Sequence, residues 1–171
     1  MKIPFRPSLM DLRRHPIKWL IVHHTAEIYD REDARIDNSK YQMPAIFKGV
    51  LEKKQPDVNY HIVIEKVKED YIPIIARPFP YLCKFPDIHD DINKRALHIA
   101  MLGSYDFKIP NIRLMEVLAY KVLNPFMKIF KISTNKVKLH REISTDKSIT
   151  CPGDFVDSGK IISLVKRYVI K

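Results

Sequence analysis

Trp19-Leu20-Ile21-Val22 is an unbroken apolar run that stops at a pair of histidines, His23-His24. Such a run is what a central strand covered on both faces shows. Ala96 to Leu102 repeats the pattern and is closed by Gly103, and Val137-Lys138-Leu139 is a shorter strand running into His140. Buried strands that end on histidines constrain the chain in two ways. They require a sheet with a layer on each face, and they place titratable rings at strand ends. Side chains alternate across a strand, so His23 and His24 point to opposite faces. One of the two can enter a site while the other packs or meets solvent.

The remaining segments fill in around that sheet. Met1 to Pro16 holds three prolines and several arginines and reads as an irregular arm, so residues 1–17 are set apart from a domain over 18–171. Glu27 to Ser39 is polar loop. Apolar residues at Tyr41, Ala45, Ile46, Val50 and Leu51 predict a helix over Lys40 to Lys54, ended by Gln55-Pro56-Asp57. Tyr60–Glu65 and Tyr71–Ala76 predict two strands joined by a charged turn, with Pro73 placing the second near an edge. Arg77 to Asn93 contains Pro78, Pro80 and Pro86 and reads as loop. Ile112–Leu123 is an amphipathic helix running into Pro125, and Ser158–Ile170 is a final helix. Strands alternating with helices predict a single α/β (α+β) domain with a central mixed sheet flanked by helices.

Composition excludes several classes. A hydrophobic fraction of 46%, with 8 Phe, 8 Tyr and 1 Trp, supplies a real core and excludes wholesale disorder. The longest stretch free of Asp, Glu, Lys and Arg runs only from Ala96 to Tyr105, whereas a membrane span needs roughly 20 apolar residues. The first residues, Met1 to Arg14, lack an apolar block and cleavage site, so the expectation is cytoplasmic synthesis with any action on a cell wall following release. Thirty basic against 20 acidic residues leave a net charge of +10, which favours polyanionic partners: nucleic acid, anionic lipid or an acidic wall polymer. Cys83 and Cys151 make no disulfide framework and are available as thiols.

Three residues carry the candidate chemistry. His23 follows one buried strand, His140 follows another, and Cys151 lies in Thr150-Cys151-Pro152-Gly153-Asp154, where a Pro-Gly turn just before a helix holds the thiol in place. Taken alone, Cys151 also reads as a small buried hydrophobe. Together, two imidazoles and a thiolate are a good zinc set, and three protein ligands leave a fourth position open, as catalytic zinc requires.

Four segments, in this order, carry a resemblance. They are Ile21-Val22-His23-His24-Thr25-Ala26; Asn59-Tyr60-His61-Ile62-Val63-Ile64; Ala96-Leu97-His98-Ile99-Ala100-Met101-Leu102-Gly103; and His140-Arg141-Glu142 followed by Cys151-Pro152-Gly153-Asp154. Across about Lys18 to Ser158 the chain resembles the type 2 N-acetylmuramoyl-L-alanine amidases, which include amidase-type phage lysozymes and peptidoglycan-recognition proteins. The resemblance implies a mixed sheet flanked by helices, with Zn2+ held by His23, His140 and Cys151. It also implies that Tyr60 is the tyrosine whose phenol faces the metal's open side. The implied substrate is peptidoglycan or its muropeptides, cut at the amide between the lactyl group of N-acetylmuramic acid and L-alanine.

This chain departs from the pattern in places. Many relatives carry lysine or threonine two residues before the third ligand, where this chain has Ile149, so the nearby Lys147 or Thr150 is a candidate substitute for proton transfer; Lys147, the catalytic candidate carried beside Tyr60, also reads as a solvated surface lysine. Ala100 stands where some relatives have glutamate. His98 replaces a common glycine and reads either as a cleft residue or as a partner-bonded core histidine. His89 and Cys83 lie in a proline-rich loop where the usual His-Ala segment is not recognisable. Two other functions compete with the amidase. A non-catalytic peptidoglycan binder of the same fold would generally have lost a zinc ligand, and all three positions are filled here. A basic nucleic-acid binder should interleave aromatic residues with Lys and Arg on one face or show a known module, and the sequence has neither, so no nucleic-acid partner is expected.

Overall fold

The computed structural model describes residues 10–26 and 58–169. The helix expected over Lys40 to Lys54 and the loop before it lie outside the described residues. Five strands, β1 (Trp19–His24), β2 (Ile62–Val67), β3 (Asp70–Ile75), β4 (Ala96–Met101) and β5 (Val137–Leu139), form one sheet in the order β3-β2-β4-β1-β5. β1 runs parallel to β4 and β5, β2 runs parallel to β4, and β3 is antiparallel to β2, so the sheet is mixed as expected. Pro73 sits in β3, an edge strand, where a residue with no N–H costs the sheet least.

The all-buried pattern of β4 and the nearly all-buried pattern of β1 explain why both read as continuous apolar runs. One sheet face carries Leu20, Val22, Ile62, Ile64, Leu97, Ile99, Met101, Val137 and Leu139. It packs under a long helical rod and a C-terminal helix, whose Leu114, Leu118, Val122, Leu123, Ile161 and Val165 complete the main core. Fully burying one such side chain contributes about 1.5–3 kcal/mol. The opposite face carries Ile21, His23, His98, Ala100 and Val63, and only a small apolar cluster of Val58, Val63, Ala76 and Ala100 covers part of it. The chemistry-bearing residues therefore lie on the face away from the main core.

Three elements differ from expectation. The strand expected over Tyr60–Glu65 runs instead over Ile62–Val67, so Tyr60 precedes it. The helix expected to end near Leu123 continues, as α2 (Ile112–Val117), a π-helical stretch (Leu118–Leu123) and α3 (Asn124–Phe130). Pro125 falls in the first turn of α3, where a missing N–H is tolerated, and the wider π turn ahead of it makes room for the ring. The rod starts at Asn111, whose side chain accepts from the Arg113 N–H, and stops at Lys131 in the left-handed conformation (φ 53°). The expected loop Arg77 to Asn93 also contains a short helix, α1 (Asp90–Asn93). The last described helix, α5 (Ser158–Val169), agrees with the sequence reading. Residues 10–17 are irregular but anchored: Leu12 bridges Tyr81, and the Arg13 guanidinium donates to the carbonyls of Phe79, Lys94 and Ala96 at 2.8–3.0 Å.

Candidate metal centre

Strand parity decides between the two histidines of β1. His24 shares the core-side face with Leu20 and Val22; its Nδ1 accepts from the Tyr105 N–H at 3.2 Å, and its Nε2 lies 3.9 Å from Asp106. His23 is on the other face, fully buried, with Nδ1 3.7 Å from the sulfur of Cys151. His140 follows Leu139, which pairs with Val22 on the core side, so alternation already aims it at the site face, where the chain turns into a short helix, α4 (His140–Ile143). The Glu142 carboxylate caps that turn by accepting from the Leu139 N–H at 2.8 Å. His140 thus heads a helical turn directly after the strand that runs into it.

Cys151 arrives on the loop after α4, and Arg141 holds that loop in place. Its backbone N–H donates to the Cys151 carbonyl at 2.8 Å, and its guanidinium donates to the carbonyls of Thr150, Gly153 and Val156 at 3.2, 2.6 and 2.5 Å. Gly153 has φ +105°, and a Cβ there would lie 2.2 Å from the Tyr105 carbonyl carbon, so only glycine lets the loop approach so closely. The His24 N–H points at the Cys151 sulfur from 3.4 Å.

The result is one donor atom each from His23, His140 and Cys151, all within 4.8 Å of one another. Burial sets their protonation. Desolvation drives His23 well below the usual histidine range, with neighbouring histidines adding to the effect, and it lowers His140 despite the opposing pull of Asp87. Both imidazoles are therefore neutral and can ligate at neutral pH. Desolvation pushes the Cys151 thiol up to about 12, a cost that a coordinated cation reverses by deprotonating it. Two neutral imidazoles and one thiol, with no fourth protein donor among the described residues grouped with them, suit zinc with one open position.

A loop the sequence reading left without a role builds the surroundings. Asn93 accepts from the Phe85 N–H and donates to the Phe85 and Ile88 carbonyls, while Asn59 pairs with both backbone groups of Lys84. Thus braced, the loop lays the Phe85 ring on His23 (centroids 4.4 Å apart, planes 20° apart), with His98, His140 and Tyr60 at 4.7, 5.2 and 5.8 Å. It also places an Asp87 oxygen 2.7 Å from Nε2 of His140, and the Ser144 hydroxyl donates to that same oxygen at 2.6 Å. A carboxylate behind a ligating histidine fixes its tautomer and orientation. Nothing in the sequence around Phe85 and Asp87 marks these roles, because they arise only when the loop docks against residues 144–145, some 58 positions away.

The other sequence candidates are placed as follows. Tyr60 is half-buried beside the trio, its ring centroid 5.5 Å from that of His23 and its hydroxyl donating to the His24 carbonyl at 3.3 Å. Lys147 is exposed, and its Nζ donates to the Ser144 carbonyl at 3.4 Å; Thr150 is exposed and engages the loop through its backbone carbonyl. His98 is fully buried and partner-bonded, with Nδ1 2.9 Å from Nε2 of His23. Cys83 is a buried free thiol, and His89 is exposed at the start of α1.

No protein-family model and no curated protein sequence matches the chain. Solved structures do. The peptidoglycan-recognition protein PGRP-SD of Drosophila is similar with a TM-score of 0.65 at 20% identity, covering 86% of this chain and 80% of its own. The endolysin N-acetylmuramoyl-L-alanine amidase LysCS of Clostridium intestinale gives a TM-score of 0.65 at 17% identity, covering 95% and 91%. A Drosophila PGRP-LB variant in complex with tracheal cytotoxin gives 0.64 at 17% identity, covering 95% and 88%. The chain has the fold these proteins share, a fold used both by wall-cutting amidases and by recognition proteins. Among the described residues no helix is long and apolar enough to cross a membrane.

Proposed function

We propose that this chain is a zinc-dependent N-acetylmuramoyl-L-alanine amidase, cutting the amide between the lactyl group of N-acetylmuramic acid and L-alanine in peptidoglycan or its fragments. The observation that carries the reading is the convergence of the His23, His140 and Cys151 donors on one face of a sheet with the amidase-type fold. Zinc bound there would supply Lewis acidity toward the amide carbonyl and a nucleophile at neutral pH.

The chain's own residues do the rest. His23 and His140 are kept neutral by burial, and Asp87 orients His140. The Tyr60 hydroxyl, beside the ligands, turns from the His24 carbonyl to donate to the oxygen on which charge develops as the amide is attacked. Phe85 walls one side and keeps bulk water off the ligand rings. Proton transfer to the leaving amine falls to Lys147, or to Thr150, on the loop that carries Cys151; Lys147 must leave the Ser144 carbonyl to do so. The surplus of +10 draws the chain to an anionic wall.

The test is a digest of purified peptidoglycan by wild type, by chelator-treated wild type and by Cys151→Ala. New L-alanine amino termini from the first alone support the reading. Cleavage at any other bond overturns it, and tight retention of muropeptide without cleavage replaces it with a recognition protein.

A further inference from the structure

Three imidazoles lie in line on the site face: His61, His98 and His23. Each is fully buried, which makes the proton count on each nitrogen tractable. At one end, the backbone N–H of His98 donates to Nδ1 of His61 at 2.9 Å, so that nitrogen carries no proton. The His61 proton therefore sits on Nε2, where the Tyr81 carbonyl accepts it at 3.0 Å. Arg13, 3.1 Å away, adds a positive charge that with burial keeps this ring neutral. At the other end, Nε2 of His23 lies 2.9 Å from Nδ1 of His98, while Nδ1 of His23 faces Cys151. Between these two rings there is one shared proton, and it can belong to either.

Its position decides whether His23 can bind a metal. A neutral imidazole has one lone pair in its plane. If His98 holds the proton on Nδ1 and donates, the His23 proton sits on Nδ1 and blocks the nitrogen that faces Cys151. If His23 holds it on Nε2 and donates, its Nδ1 is free. We propose that His98 is a positioning residue for the metal site: by accepting from Nε2 of His23 it holds that ring in the tautomer that offers Nδ1 to the ion. The inference rests on the zinc reading above.

Three observations support it. The His98 ring has no freedom to leave, since it is fully buried, its backbone is tied to His61, and Phe85 lies over it at 4.7 Å. His140 is arranged in a similar way, with an Asp87 carboxylate oxygen 2.7 Å from its Nε2, so both imidazoles have a polar group behind the same nitrogen. A neutral acceptor suits the deeper of the two sites, where a carboxylate would be a fully buried anion, whereas Asp87 stands at the half-buried rim. In the ligating tautomer the His98 proton moves to Nε2, which has no partner among the described residues. The alternative tautomer leaves that same atom equally unpaired, so nothing around His98 opposes the acceptor role that keeps Nδ1 of His23 open to the ion.

The experiment measures zinc affinity of the full chain by competition with a chromophoric chelator, for wild type, His98→Leu and His98→Asn. Leucine cannot accept, and the expected loss is 10–100-fold. Asparagine places an oxygen near the position of Nδ1 and should restore affinity to within a few-fold of wild type. Long-range proton–nitrogen spectra of the zinc-loaded wild type, which need no variant to fold, should place the protons of both His23 and His98 on Nε2. Wild-type affinity in His98→Leu, or a proton on Nδ1 of His98 in the loaded protein, overturns the inference and leaves the zinc site standing. Failure of wild type to bind zinc overturns the zinc reading and this inference with it.

Discussion

His61 gives the chain a built-in sensitivity to acid. Desolvation, reinforced by Arg13 and Arg77, lowers its pKa from the ordinary 6.5 to about 3. The folded-state value is the depressed one, so protons bind the unfolded chain more readily. The stabilisation is complete above the unfolded pKa and is lost as pH falls from about 6.5 toward 3. At pH 5 the unfolded histidine is almost fully protonated while the folded one is not, which costs about 2 kcal/mol; the full shift is worth nearly ~5 kcal/mol. Against a total stability of roughly 5–15 kcal/mol, that one ring matters. His61→Asn keeps an oxygen near Nδ1 to accept from the His98 N–H but cannot titrate. Urea unfolding followed by Trp19 fluorescence, with chelator present, should show wild type losing about 1.4 kcal/mol per pH unit more than the variant between about pH 5.5 and 4. Parallel pH profiles for the two proteins would mean instead that burial does not depress His61 in the folded state.

Three other outcomes are expected. Gly153→Ala forces a Cβ to 2.2 Å from the Tyr105 carbonyl carbon in a left-handed conformation, so the Cys151 loop must move; zinc retention should collapse, with a thermal melt showing a loss of about 2–4 kcal/mol. Arg141→Met removes donors to the Thr150, Gly153 and Val156 carbonyls; a loss of about 2–3 kcal/mol in denaturant unfolding and faster zinc release to a chelator should follow. Zinc binding at about pH 7 should expel about one proton, that of Cys151, since burial lowers both imidazoles and raises the thiol. Calorimetry in buffers of different ionisation enthalpy measures it, and a count near zero would mean that the thiol is not a ligand.

What could be read from the sequence was local. β1 and β4 stood out because strands buried on both faces show unbroken apolar runs, and His23, His140 and Cys151 were legible as candidates at two strand ends and a Pro-Gly turn, their ligand role being what the resemblance implied. The choice of His23 over His24 came from the resemblance, and strand parity relative to the core, which only the packed helices define, gives it a physical reason. The rod past Pro125 was missed because a proline normally stops a helix, and the π turn that accommodates it has no short signature. Asp87, Phe85 and Arg13 were invisible for a different reason. Each acts across a loop or chain end docked far from its own position in sequence, with no periodicity to announce it. His98 was visible as an anomaly, but its partner was not.

The proposed function requires one zinc ion, held by His23, His140 and Cys151, for cutting the lactyl–L-alanine amide. Chelator-stripped protein titrated with zinc while L-alanine amino termini are counted tests it in a single curve. The expected curve shows no release without metal, a linear rise, and a sharp break at about one equivalent per chain. Full release from stripped protein, or no release at any zinc concentration, would contradict it.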